Sequence, residues 1–91
     1  MKTEYLPSFV KDLKKLKKMP IYKQIKSLSF ETIPNCTDTS QIVNLKKLKK
    51  SQNAYRIRVG DYRIGIFIKK ETVIFLRVLH RKEAYRYFPP K

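Results

Sequence analysis

The sequence predicts an α+β fold in the order β-α-α-β-β-β, an antiparallel sheet with a two-helix hairpin packed on one face. Three observations predict it. Apolar residues in the first third recur at helical spacing: Phe9, Leu13 and Leu16, then Ile21, Ile25 and Leu28. Further along, the period changes to two: Tyr55, Ile57 and Val59 alternate with Arg56 and Arg58, and Ile64, Ile66 and Ile68 alternate with Gly65 and Phe67. Between these runs stands Gly60-Asp61, and a two-residue loop opening on Gly suits a tight type II′ hairpin.

Each element follows in order. Residues 2–6 read as a short strand that Pro7 ends. Ser8 reads as the N-cap of the first helix. Its apolar stripe is surrounded by Lys11, Lys14, Lys15, Lys17 and Lys18, and a flat neighbour such as a sheet would cover that stripe. Met19-Pro20 breaks the helix, and Pro20 suits the first turn of the next. Residues 31–41, rich in Pro, Asn, Asp, Ser and Thr, read as a loop. The hexapeptide Leu-Lys-Lys-Leu-Lys-Lys occurs at 13–18 and again at 45–50; it is too short for a structural repeat and reads as compositional bias. A third strand runs from Val73 to Leu79, after a turn containing Glu71-Thr72.

The 91 residues make one domain, 1–91, with a formal net charge of +15. An apolar fraction of 42% argues against disorder despite that charge. The lone Cys36 excludes an internal disulfide and a multi-cysteine zinc site, and reads as a loop thiol in a reducing compartment. The apolar runs, such as Val73–Leu76, fall far short of the ~18 residues of a membrane span. Met1–Pro7 contains no apolar stretch of the kind a signal peptide needs, so the expected location is cytoplasmic. No glycine-rich phosphate loop or cluster of metal ligands is visible, so neither cofactor nor metal is expected. A field of this sign concentrates polyanions, and nucleic acid is the first candidate partner.

The hairpin register turns that charge into a surface. A Gly60-Asp61 loop pairs Val59 with Tyr62, Arg58 with Arg63, Ile57 with Ile64 and Arg56 with Gly65. Ile57, Val59, Tyr62, Ile64 and Ile66 then face the helices, and Arg56, Arg58, Arg63 and Phe67 point away. Like charges directly across two strands destabilise a sheet, and an anion between them reverses the sign. Arginine's planar fork grips phosphate with two hydrogen bonds. The competing reading, long charged side chains solvated on an exposed sheet face, is ordinary. The segment 78–89 adds His80, Arg81, Lys82, Tyr85, Arg86 and Tyr87: a group that titrates near neutrality in its free form, three phosphate donors and two rings for stacking on bases.

The stretch Tyr55–Gly65, the hydrophobic strand after it, and His80-Arg81-Lys82-Glu83-Ala84-Tyr85-Arg86 together resemble the RelE/ParE superfamily of toxins from type II toxin–antitoxin systems. The resemblance covers the chain in element order and is specific in residues 55–65 and 78–87. It implies a RelE-like microbial ribonuclease fold with a basic concave face opposite the helices. It also implies a metal-independent endoribonuclease that enters the ribosomal A site and cuts mRNA. There the 2′-hydroxyl attacks the adjacent phosphorus, leaving a 2′,3′-cyclic phosphate and a 5′-hydroxyl. By position, Arg56 and Arg58 take the two basic strand positions and Arg63 the phosphate-clamping arginine. Arg81 takes the residue that protonates the leaving group or stabilises the transition state, and Tyr87 the tyrosine that stacks on the nucleotide, with Tyr85 competing. Lys82 and Arg86 add phosphate contacts. Where the family pattern has a lysine proposed as base, this chain has Arg58, a poor base at neutral pH; the proton then goes to His80, the favoured replacement, or to a tyrosine, or the burden falls on electrostatics. The implied partners are an acidic RelB-like antitoxin, mRNA and ribosomal RNA, the last touched by Lys46–Lys50 unless that cluster is simply solvated; DNA is met only through the antitoxin complex. Two alternatives have the same fold: a ParE-like inhibitor of DNA gyrase, and a basic nucleic-acid-binding relative without chemistry.

Overall fold

A computed structural model of the chain describes residues 1–49 and 52–87, apart from the side chains of Tyr85 and Tyr87. Five strands and three helices are present among them: β1 (Lys2–Tyr5), α1 (Pro7–Lys15), α2 (Tyr22–Ser27), β2 (Leu45–Lys47), β3 (Ala54–Val59), β4 (Tyr62–Lys69), β5 (Thr72–His80) and α3 (Arg81–Tyr87). A π-helical turn, Leu28–Thr32, extends α2, and a 3₁₀ turn, Thr39–Gln41, interrupts the stretch read as a loop. The expected α+β layering is there, with β2 and α3 as additions.

The sheet order is β1-β5-β4-β3-β2. β2 to β5 form an antiparallel meander, whereas β1 joins β5 in parallel, Lys2 beside Thr72 and Tyr5 beside Phe75. The sheet is therefore mixed, and the expectation of a purely antiparallel one is corrected. The chain leaves β1 into the helices and re-enters at the opposite edge, so the direction of β1 is fixed by a partner distant in sequence.

Phe9, Leu13 and Ile25 are buried against Ile57, Val59, Ile64, Ile66, Val73 and Phe75, as the two periodicities require. Tyr62 packs partly buried against the same core. Phe9 and Phe75 meet with ring centroids 5.1 Å apart, and Tyr5 stacks on Phe75 at 4.9 Å. Cys36 is the loop thiol expected, and the loop buries it against this core, its thiol donating to Thr32 O at 3.3 Å.

β1 stops at the level of Phe75, leaving the rest of β5 with a bare edge, and α1 covers it. Leu6 N donates to Phe75 O at 3.0 Å. Ser8 Oγ donates to Leu76 O at 2.6 Å. The Asp12 carboxylate accepts from Val78 N at 3.2 Å. Leu76 is the extra residue of a β-bulge opposite Gly65/Ile66, where the carbonyls and amides of a strand need other partners. Ser8 is thus not the N-cap: the helix starts at Pro7 with Leu6 before it, and the serine serves the sheet edge.

Candidate active site on the open face

The β3–β4 hairpin has the register expected, with Arg58 opposite Arg63, Ile57 opposite Ile64 and Arg56 opposite Gly65. Gly60 has φ +59 whereas Asp61 is not in the left-handed region, the combination a Gly-first loop needs. Arg58 is exposed; Arg56 and Arg63 are half-buried. Lys46 of β2 lies directly across from Arg56, adding a cation that the compositional reading of 45–50 did not assign to the sheet. Residues 50 and 51, the end of that lysine cluster, lie outside the described residues.

Arg63 is not splayed into solvent. Its Nη1 donates to Gly60 O at 2.8 Å and to Tyr62 O at 3.0 Å, so the guanidinium is folded onto the hairpin turn. Carbonyl dipoles there offset part of the repulsion from Arg58.

β5 passes into α3 with no intervening turn. Ala84 of α3 packs on Leu79, with Leu48 beside them, and this small apolar cluster is separate from the main core. Leu79 is the cross-strand neighbour of Arg63, so α3 rests on the face that carries the arginines. That face is therefore partly covered. The start of α3 is tied to the hairpin: Arg81 N donates to Asp61 O at 2.7 Å, and the exposed Arg81 Nε stands 4.0 Å from Asp61 Oδ1. One residue earlier, His80 lies across from Tyr62 with the rings edge-on, centroids 5.4 Å apart and planes at 82°. His80 Nδ1 accepts from Lys82 N at 3.2 Å. Lys82 and Arg86 are exposed on α3. Tyr85 and Tyr87 belong to α3 by their backbone, and their expected stacking roles concern side chains outside the described ones.

Arg58 and Arg63 thus stand at the hairpin end of the open face, with Arg81 beside the turn and Arg56 and Lys46 further along the sheet, whereas His80 shares the opposite face with Tyr62, beside Asp12 of α1 and Leu16. Sequence reasoning missed three residues that organise this end. Asp61 was read only as a turn residue, yet it anchors α3. Asp12 and Arg77 form a bidentate pair at 2.7 and 3.1 Å just before Val78, beside a cleft of about 200 Å³ that His80 and Glu83 also line. The available signal was Asp12 itself: a lone acid in a lysine-rich helix, three residues from Phe9 and four from Leu16, on the apolar side. Among the described residues, no three His, Cys, Asp or Glu side chains stand together, and no helix is long and apolar enough to cross a membrane.

Residues 3–85 match the family described as ParE toxin of type II toxin–antitoxin system, parDE. The chain is 48% identical to toxin RelE3 of Methanocaldococcus jannaschii over 90 residues, covering 98% of this chain and all of that one. Its fold is similar to the RelB–RelE antitoxin–toxin complex of Methanococcus jannaschii, with TM-score 0.78 and 45% identity over 94% of this chain and 99% of the solved one. It also resembles the toxin–antitoxin complex RelBE2 of Mycobacterium tuberculosis, with TM-score 0.68 and 24% identity over 88% of this chain and 90% of the other, which speaks to the fold alone.

Proposed function

The chain belongs to the ParE toxin family of type II toxin–antitoxin systems, on the RelE-like side, and we propose that it is a cytoplasmic endoribonuclease that cuts mRNA in the ribosomal A site. The observation that supports this reading is the placing of Arg58, Arg63 and Arg81 around one end of the open sheet face, where the hairpin turn holds the guanidinium of Arg63 and the backbone amide of Arg81. Cleavage by the neighbouring 2′-hydroxyl needs cations for its transition state, an acceptor for the 2′ proton and a donor for the leaving oxygen. The 2′ oxygen attacks phosphorus in line and passes its proton to water, the bond from phosphorus to the 5′ oxygen breaks, and that oxygen takes up a proton from water. The products are a 2′,3′-cyclic phosphate and a 5′-hydroxyl. Negative charge builds on the phosphoryl oxygens during attack, and fixed cations stabilise it without reorganising. Arginine stays protonated at neutral pH, so Arg58, Arg63 and Arg81 act as electrostatic and hydrogen-bonding groups rather than bases. Arg56, Lys82 and Arg86 extend the cationic track along the message, and Tyr85 and Tyr87 supply rings for the nucleotide.

The partners follow from the same reading. A RelB-like antitoxin neutralises the toxin, as RelB and RelE form a complex in the solved relative. Its acidity would complement a charge of +15 and speed association.

The test is induction of the chain in a bacterial host followed by primer extension on a translated message. Cuts within translated codons, lost on Arg81→Ala, are the expected result; because Arg81 is exposed, that variant should fold. Growth arrest without cuts overturns the ribonuclease reading and favours inhibition of another target, such as DNA gyrase. Salt-sensitive RNA binding without arrest or cuts would leave a binding protein.

A further inference from the structure

The first amides of a helix have no acceptor inside it and must find one elsewhere. In α3 the first two have found theirs. Arg81 N donates to Asp61 O at 2.7 Å, and Lys82 N donates to His80 Nδ1 at 3.2 Å. His80 therefore stands where Ser, Asn or Asp ordinarily cap a helix with a side-chain acceptor. A ring nitrogen that accepts carries no proton, so in the neutral ring the hydrogen sits on Nε2. The ring is further held edge-on by Tyr62, its cross-strand neighbour.

We infer that His80 is a positioning residue: its Nδ1 caps α3 and thereby sets the first residue of that helix, Arg81, while the ring takes no proton from the substrate. This rests on the ribonuclease reading and changes the role the sequence gave His80 within it. The lone pair on Nδ1 is committed to Lys82 N, and Nε2 already bears hydrogen. Accepting a proton at Nδ1 would put an N–H against an N–H and release the helix start.

Two variants separate cap from base. Asn keeps a side-chain oxygen that accepts from a first-turn amide, whereas it cannot carry a proton at neutral pH. His80→Asn is expected to cleave ribosome-bound message within about twofold of wild type, and His80→Ala about five- to tenfold more slowly, the size of a lost cap. If both variants lose a hundredfold or more, His80 is a proton carrier and the inference falls. Circular dichroism of each variant verifies that it folds. A second measurement stands apart from activity, so that failure of the ribonuclease reading remains distinguishable. Long-range ¹H–¹⁵N correlation of the imidazole in folded wild type should show the Nε2–H tautomer, with Lys82 amide protection lost in His80→Ala and kept in His80→Asn. An Nδ1–H tautomer overturns the inference whether or not the wild type cuts RNA.

Discussion

Asp12 is the residue whose loss the fold should feel most sharply for its size. Its carboxylate is only 7% exposed and receives three donors: Arg77 Nε at 2.7 Å, Arg77 Nη2 at 3.1 Å and Val78 N at 3.2 Å. It therefore bridges α1 to the stretch of β5 beyond the end of β1. Asp12→Ala removes the carboxylate from the guanidinium and strands a buried backbone amide. Removing one partner of a fully buried pair costs about 3–5 kcal/mol. The Arg77 side chain is 31% exposed, so water recovers part of that, and about 2–3 kcal/mol is the expected loss. Asp12→Asn keeps one acceptor and gives up the charge, for about 1 kcal/mol. Against the total of about 5–13 kcal/mol expected for a domain of this length, the Ala variant is severe without preventing folding. Urea unfolding followed by circular dichroism measures it. With a slope of about 1 kcal/mol/M, the midpoint should fall by about 2 M for Ala and about 1 M for Asn. A midpoint for Asp12→Ala within about 0.5 M of wild type would refute the bridge as a stabilising element.

Two further substitutions should raise stability. Ser29 is fully buried and, among the described residues, its Oγ has no hydrogen-bond partner, so Ser29→Ala should gain about 0.5–1 kcal/mol in the same urea assay. Lys70 occupies the β4–β5 turn with φ 55, a region costly for a side chain with a Cβ; Lys70→Gly should gain about 0.5 kcal/mol after the greater entropy of the unfolded glycine chain is allowed for, read as a rise of a few degrees in melting temperature.

What the sequence disclosed depended on whether the deciding forces were local. The β3–β4 register was readable because a two-residue turn and strict alternation fix it together, and a slip of one residue would turn Ile57 and Ile64 out of the core. The helix faces were readable because Phe9, Leu13 and Ile25 carry the period themselves. The direction of β1 was not, since nothing in four residues specifies a partner some seventy positions away. The hexapeptide Leu-Lys-Lys-Leu-Lys-Lys shows the limit plainly. Its first three residues lie in α1 at 13–15 and the same three form β2 at 45–47. In α1, Leu13 completes a stripe with Phe9; in β2, Leu45 pairs with Ile57 and packs against the core. Identical residues take different structures because tertiary burial outweighs a weak local propensity. α3 escaped for a related reason: seven residues span about two turns, too few to show a helical period, and the histidine that caps the helix is an unusual cap.

The cross-strand places of the candidate arginines were legible in the sequence, and their hydrogen bonds were not. Arg58 opposite Arg63 suggested that an anion must relieve the pair. The structure supplies relief of its own, since Arg63 donates to the carbonyls of Gly60 and Tyr62. What the repulsion argument loses, the positioning argument recovers. The same two-residue turn accepts Arg63 through Gly60 O and the amide of Arg81 through Asp61 O. A turn that sequence logic explains by backbone conformation thus also fixes the Arg63 guanidinium and the backbone from which Arg81 projects. A cation set in place before a phosphate arrives, as the Arg63 guanidinium is, loses little entropy on binding it and needs no reorganisation as charge develops. Under the proposed reaction, the hairpin turn contributes to catalysis through its backbone oxygens, with the Asp61 carboxylate beside Arg81 Nε. Its tolerance to substitution is then set by where those carbonyls point as much as by the +59 φ of Gly60.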